Sequence, residues 1–239
     1  MSLINFETPI DLTGFTIIVP SITVGNVPQL TVDLLITTLK LKKAGILWHS
    51  ALVSSVGSDP FNSKITTPST AAELYYNSNI KVAVIQFRST FNVQRLGSFI
   101  TDLSNSFTAL KIDRVILLAS LFDYELSNVQ DKESIFYSSS TEINEELIEN
   151  LRAKPLQQDE DGEVCTRGTG FAAKFYNILR TKVNCMLVVK YVSEGDNTLD
   201  AKKLLSQLFD IVNIKSGDYT VLIPESWTQL NDTPVLGIF

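Results

Sequence analysis

Apolar runs alternate with helical patterns along most of the chain. Three of these runs, 80-IKVAVIQFRS-89, 114-RVILLAS-120 and 185-CMLVVKYV-192, are apolar almost throughout rather than at every second position. Continuous runs of this kind are typical of parallel strands covered on both faces. Helical patterns over roughly 92–110 and 171–180 separate them. The sequence therefore predicts an α/β fold, a three-layer α/β/α sandwich with a mainly parallel central sheet.

The two ends of the chain add further predicted elements. A strand is expected over 15–25 with an interruption at Pro20, then a helix over 26–45 that has Pro28 in its first turn and ends at Gly45. Near the other end, 219-YTVLIP-224 predicts a last strand. In between, the remaining pattern predicts an acidic amphipathic helix, an exposed loop and a helix after the third long strand. These three elements are expected over 141–153, 154–164 and 197–212.

Length and composition favour one intracellular globular domain. The chain has 239 residues, of which 44% are hydrophobic, so we expect a single domain over 1–239 with a short tail at 233–239. The sequence shows neither a membrane-spanning apolar run nor a signal peptide, and its two cysteines suggest no disulfide framework. The net charge of −6 and the scattered basic residues argue against a nucleic-acid partner.

The most prominent candidate for a chemical site is 194-EGDN-197, which lies between a strand and a helix. Carboxylates at the end of a strand can hold Mg²⁺ or Ca²⁺, and Asp200 follows in the helix. A structural role explains the same residues: Gly195 allows the turn, Asn197 caps the helix, and Asp200 favours the positive end of the helix dipole. We favour the structural interpretation and expect no metal site.

Other possible sites have weak support. The stretch 167-RGTGFAAKFYNIL-179 opens a helix with two glycines, but it lacks the phosphate-loop motifs and follows an acidic loop. Cys165 precedes a helix start that can lower the pKa of a thiol, yet the single histidine, His49, is far away in sequence. His49 itself is expected to be a hydrogen-bonded structural residue. A small-molecule hydrolase or phosphorylase-like enzyme on the same fold remains the alternative function.

Several segments resemble a known family. The stretches 14-GFTIIVPSITVGNVPQLTVDLLI-36, 84-VIQFRS-89 and 191-YVSEGDNTLDA-201, with Trp227 after the last apolar run, are similar to proteasome assembly chaperone 2. The most specific matches are VGNVPQL and SEGDN. The resemblance assigns a structural rather than a catalytic role to the residues of these motifs, which are Gly25, Asn26, Pro28, Glu194, Gly195, Asp196 and Asn197.

This resemblance implies a non-enzymatic role without cofactors. Members of the family pair with a sibling, proteasome assembly chaperone 1, as a heterodimer. The pair binds the ring of proteasome α subunits, promotes assembly of the core particle and blocks premature or wrong association. The α/β/α sandwich of the family agrees with the predicted fold. The implied location is the cytoplasm, with the nucleus as a second compartment.

The C-terminus departs from part of the family. Some members end in a hydrophobic residue, a tyrosine and one further residue, and this motif inserts between neighbouring α subunits. Here the last residues are Gly237, Ile238 and Phe239, so the tyrosine is missing. The resemblance therefore extends only to the apolar character and the terminal carboxylate. Ile238 and Phe239 are the candidate partner-binding residues.

Overall fold

The structure, a computed structural model, describes residues 3–126, 128–215 and 218–227. Within these residues, nine strands form one sheet in the order β1-β3-β6-β7-β2-β8-β11-β9-β10, and β4 and β5 pair separately. The strands are β1 (Ile4–Phe6), β2 (Thr16–Pro20), β3 (Lys42–Leu47), β4 (Val56–Gly57), β5 (Ser69–Thr70), β6 (Ala72–Asn77), β7 (Val82–Phe87), β8 (Arg114–Phe122), β9 (Ile135–Ser139), β10 (Lys154–Pro155) and β11 (Asn184–Val192). The helices are α1 (Val27–Thr38), α2 (Leu96–Ala109), α3 (Glu145–Leu151), α4 (Ala172–Leu179) and α5 (Thr198–Ile211).

The middle of the sheet is parallel. Strands β7, β2, β8 and β11 lie side by side and run in one direction. Successive side chains of a strand point to opposite faces, so Ile17 and Ile18 of β2 enter different cores. The first core lies under α2 and α4, and the second lies under α1 and α5. The predicted three-layer fold and single domain are confirmed.

Antiparallel strands extend the sheet at both sides. Strand β6 pairs with β7 and β3 on one side, and β9 pairs with β11 on the other. The sequence analysis did not predict β6 or β9. Polar residues such as Glu73 in β6 and Ser138 in β9 interrupt their apolar patterns, although both side chains are buried.

The first helix is shorter than predicted, and the role assigned to Gly45 is wrong. Helix α1 ends at Thr38, and Lys40 then adopts a left-handed conformation with φ of 49°. The Leu41 amide donates to the Ile36 carbonyl at 3.0 Å, a bond that closes a helix end. Gly45 lies instead in β3, where a Cβ atom would collide with the carbonyl oxygen of Asn5.

The predicted strand over 219–224 is also wrong. These residues pair with no strand of the described chain and adopt no regular secondary structure. One amide, that of Leu222, donates to the Thr38 hydroxyl at 3.1 Å, which places the segment beside the end of α1. The predicted acidic helix is confirmed as α3. It begins later than predicted, after Asn144, whose side chain accepts from the Glu146 amide at 2.9 Å.

Candidate functional site

The two segments with the family motifs meet in space. Gly25 precedes α1 with φ of +63°, and a Cβ atom built on it would lie 2.7 Å from the Asn197 Cγ. Asn26 follows in the left-handed conformation, and Pro28 lies in the first turn of α1 as predicted. The Thr31 hydroxyl of α1 lies 3.3 Å from the Ala201 carbonyl oxygen of α5. The motifs therefore form the junction at which α1 and α5 begin side by side.

Polar groups of the SEGDN motif form hydrogen bonds at the N-terminus of α5. One carboxylate oxygen of Asp196 accepts from the amide and the hydroxyl of Thr198, at 2.9 and 2.6 Å. These bonds lower the pKa of Asp196. Asn197 is the N-cap residue of α5, as predicted, but its buried side chain donates to the Gly195 carbonyl at 3.0 Å and accepts no bond from a helix amide. Glu194 is exposed. This arrangement is that of a strand-to-helix turn.

Among the described residues, no three or more His, Cys, Asp or Glu side chains are grouped so that they could hold a metal ion. Near the motif, Lys203 of α5 forms an ion pair with an acidic residue outside its own helix. Lys203 donates to both carboxylate oxygens of Glu133 at 2.8 and 3.0 Å. This bond lowers the pKa of Glu133. Glu133 is thus paired with a lysine of α5.

The chain's own loops fill the crevice at the ends of β2 and β8. In parallel α/β sheets, such a crevice is where ligands commonly bind. Here the Ser120 hydroxyl donates to the Val24 carbonyl at 2.6 Å, and its amide donates to the Thr23 hydroxyl at 3.0 Å. Next to it, the Phe171 amide donates to the Ser21 hydroxyl at 3.1 Å, and a Cβ atom on Gly170 would collide with that hydroxyl. The glycines before α4 therefore serve close packing.

Cys165 and His49 each contact neighbouring residues of the fold. The Cys165 thiol is exposed and donates to the Asp159 carboxylate at 3.3 Å, and this bond raises the pKa of the thiol rather than lowering it. His49 is largely buried; its Nδ1 accepts from the Ala51 amide at 3.0 Å and its Nε2 lies 3.4 Å from Asp102. The second cysteine, Cys185, is buried.

A buried polar network between α1 and β7 was missed by the sequence analysis. Arg88 donates to both carboxylate oxygens of Asp33 at 2.9 and 2.6 Å, and Gln86 donates to the same carboxylate at 2.6 Å. Burial opposes the Arg88 charge, but Asp33 outweighs it and raises the pKa of the guanidinium. Gln86 and Arg88 interrupt the apolar run VIQFRS, and this interruption is the feature of the sequence that could have indicated the buried network.

Two further charged side chains are buried in the sheet. Glu73 accepts from Lys43 at 2.6 Å and from the Tyr75 hydroxyl at 2.7 Å; burial opposes its charge, but these bonds lower its pKa. Lys190 donates to the carbonyls of Lys132 and Ser134 at 2.9 and 3.4 Å, and burial lowers its pKa. Each of these groups is held by partners of opposite charge or by backbone carbonyls, so each stabilises a junction between elements.

Comparison with a family model gives a match to the PAC2 family over residues 17–224. The chain belongs to the PAC2 family. Proteasome assembly chaperone 2 of Homo sapiens is 31% identical over 251 residues, covering 94% of each chain. The Xenopus tropicalis protein of the same name is 32% identical, covering 90% of this chain and 91% of the relative. The resemblance stated for the sequence motifs is confirmed.

Solved structures show that the fold is shared with distant relatives. Pyrococcus furiosus PbaA, described as an archaeal homolog of proteasome-assembly chaperone, superposes with a TM-score of 0.67 at 12% identity and covers 89% of this chain and 87% of its own. P. furiosus PbaB, described as an archaeal proteasome activator, gives a TM-score of 0.65 at 14% identity, with coverages of 90% and 91%. At these identities the likeness concerns the fold alone.

The candidate partner-binding residues Ile238 and Phe239 lie outside the described residues, as does the rest of the tail 233–239. Among the residues that the structure describes, no helix is both long and apolar enough to cross a membrane.

Proposed function

We propose that this chain is a proteasome assembly chaperone that acts as one half of a heterodimer with proteasome assembly chaperone 1. The pair binds the ring of proteasome α subunits, promotes core-particle assembly and blocks premature or wrong association. The observation that carries the proposal is the 31% identity to human proteasome assembly chaperone 2 over 94% of both chains. The proposed setting is the cytoplasm, with the nucleus as a second compartment.

The geometry of the motifs supports a protein-binding role over an enzymatic one. Asp196 is bonded to Thr198, Asn197 packs against Gly25, and the crevice at the ends of β2 and β8 is filled by the chain's own loops. An enzyme needs polar groups that converge on an open pocket, with pKa values suited to proton transfer. The motif residues therefore build the scaffold that presents the binding surface.

A pull-down of the tagged chain from its own cells tests the proposal. We expect mass spectrometry to recover proteasome assembly chaperone 1 and α-ring subunits, without the regulatory caps of mature proteasomes. Recovery of the chain with no proteasome subunit above background would contradict the chaperone function. In that case Glu194, Asp196 and Cys165 would be tested as catalytic groups by substitution and activity screening.

The segment that contains Ile238 and Phe239 is proposed to contact the α ring through its apolar side chains. Deleting residues 238–239 is expected to weaken binding to α-ring intermediates about tenfold, or about 1.4 kcal/mol, because the aliphatic and aromatic side chains are lost. Leu199→Ala, at a position of α5 that is 69% exposed, is the control. Unchanged binding of the truncated chain would remove the tail from the interface.

A further inference from the structure

Residues 219–224 form a segment that pairs with no strand of the described chain. Val221, Leu222 and Ile223 are consecutive apolar residues with exposures of 40%, 40% and 43%. In the described part of the chain, the amides of Val221 and Ile223 have no hydrogen-bond partner, whereas that of Leu222 donates to Thr38. The segment thus combines exposed apolar side chains with free backbone donors.

Both ends of this segment are fixed to the fold. The Tyr219 ring lies 6.1 Å from the Phe209 ring of α5, and Pro224 is buried. Beyond Pro224, the Ser226 amide donates to the Pro60 carbonyl at 3.1 Å. Anchoring at both ends holds the middle in place before any partner binds, which lowers the entropy cost of binding.

The segment lacks the features that protect exposed strands from pairing. The sheet's terminal strand β10 consists of Lys154 and Pro155, a charge and a residue that cannot donate, and both protect an edge. Residues 219–223, YTVLI, contain neither a charge nor a proline. An unprotected strand of this composition promotes aggregation unless it is covered.

We propose that the segment 219–224 pairs with an extended, uncharged strand of the sibling chaperone and forms part of the heterodimer interface. This proposal rests on the proposed function. The unpartnered amides of Val221 and Ile223, two residues apart, can be matched by the carbonyls of an extended chain, and an uncharged segment selects an uncharged strand. The match to the PAC2 family runs to residue 224, so the segment belongs to the family domain rather than to the tail.

Hydrogen exchange of the complex tests the pairing directly. The full-length chain is compared alone and co-purified with proteasome assembly chaperone 1 of the same species. We expect amide exchange over 219–224 to slow at least about tenfold in the complex. The surface segment that includes Val53 and Val56, also exposed, is the internal control and should be unchanged.

Two variants separate the backbone contribution from that of the side chains. Val221→Pro removes one free amide but keeps an apolar residue, and Val221→Lys with Ile223→Lys adds charge. Each is expected to weaken sibling binding at least about tenfold without changing the thermal midpoint of the isolated chain. Val93→Lys, at a position that is 80% exposed, is the matched control and should bind normally.

The outcomes distinguish the two proposals. A stable complex with unchanged exchange at 219–224 overturns the pairing and leaves the proposed function intact. Absence of any complex overturns both. Protection already present in the isolated full-length chain assigns the covering strand to residues 228–239 or to a second copy, and it overturns the sibling assignment.

Discussion

Gly25 is the residue at which the two family motifs depend most directly on each other. Its φ of +63° favours glycine, and the space of a Cβ atom is taken by the Asn197 carboxamide. We expect Gly25→Ala to lower the free energy of unfolding by about 2 kcal/mol or more, since backbone strain and a steric clash add. Urea denaturation followed by circular dichroism measures this loss. Gly57→Ala, at a site with open space and ordinary φ, is the control.

A double-mutant cycle shows whether the clash itself is responsible. Asn197→Ala removes the side chain that a Cβ atom at position 25 would meet. In the double variant Gly25→Ala/Asn197→Ala, the total loss is expected to be smaller than the sum of the two single losses by about 1 kcal/mol. Strictly additive losses would mean that the motifs do not interact at this contact.

Glu73 contributes to the free energy of unfolding in a way that depends on pH. Bonds from Lys43 and Tyr75 lower its folded pKa below the ordinary 4.5, so the carboxylate binds protons less readily in the folded chain. Its stabilisation is therefore present above about pH 4.5 and is lost as pH falls through the folded pKa. Glu73→Gln is expected to cost about 1–3 kcal/mol at neutral pH and to flatten the decrease below pH 5.

Unfolding free energies measured from pH 7 to pH 3 test this prediction. Glu7→Gln is the matched control, because Glu7 lies 3.8 Å from the same Lys43 but is 53% exposed. Its loss should stay below about 0.5 kcal/mol. An equal loss for both variants would show that burial of Glu73 contributes nothing.

At the scale of elements, Lys190 of β11 stabilises the turn 128–134 by hydrogen bonds. Its ammonium donates to two carbonyls of that turn, those of Lys132 and Ser134. Lys190→Met is expected to speed amide exchange over 128–134 about tenfold, while the global free energy of unfolding changes by about 1 kcal/mol or less. Hydrogen exchange with mass spectrometry measures the first effect. Lys182→Met, at an exposed position, should leave the turn unchanged, and an unchanged turn in Lys190→Met would contradict the fastening role.

The elements that sequence patterns predict best are those whose apolar positions are set by burial alone. The long central strands β7, β8 and β11 contain continuous apolar runs, because helices cover both of their faces. Helices α2 and α5 show a clear apolar side and were also predicted. In these elements burial alone determines the pattern, so the sequence suffices.

Elements that depend on distant partners were not predictable in the same way. Glu73 interrupts the apolar pattern of β6, and its burial makes sense only with Lys43 of another strand beside it. Residues 219–224 have the composition of a strand, yet strand formation needs a neighbour that the described chain does not supply. Similarly, the contact of Gly25 with Asn197 joins residues far apart in sequence, so the motifs could be recognised but not their junction.

At the scale of the whole molecule, the sheet makes the two cores one cooperative unit. Ile17 and Ile18 are neighbours in β2 and are both fully buried, but they belong to different cores. Loss of β2 pairing would expose both cores together. The α1–α5 side and the α2–α4 side therefore cannot unfold independently while they share the central strands.

This coupling predicts that damage to either core lowers the same unfolding transition. Ile17→Ala and Ile18→Ala should each cost about 2–5 kcal/mol, because each leaves a cavity in a closely packed interior. Tryptophan fluorescence and circular dichroism should give coincident urea curves for both variants, as expected for a single transition. Val93→Ala, at an 80% exposed site, should stay within about 0.5 kcal/mol of the parent. Separate transitions in one variant would show that one helical layer unfolds without the other, and the central strands would then not couple the two cores.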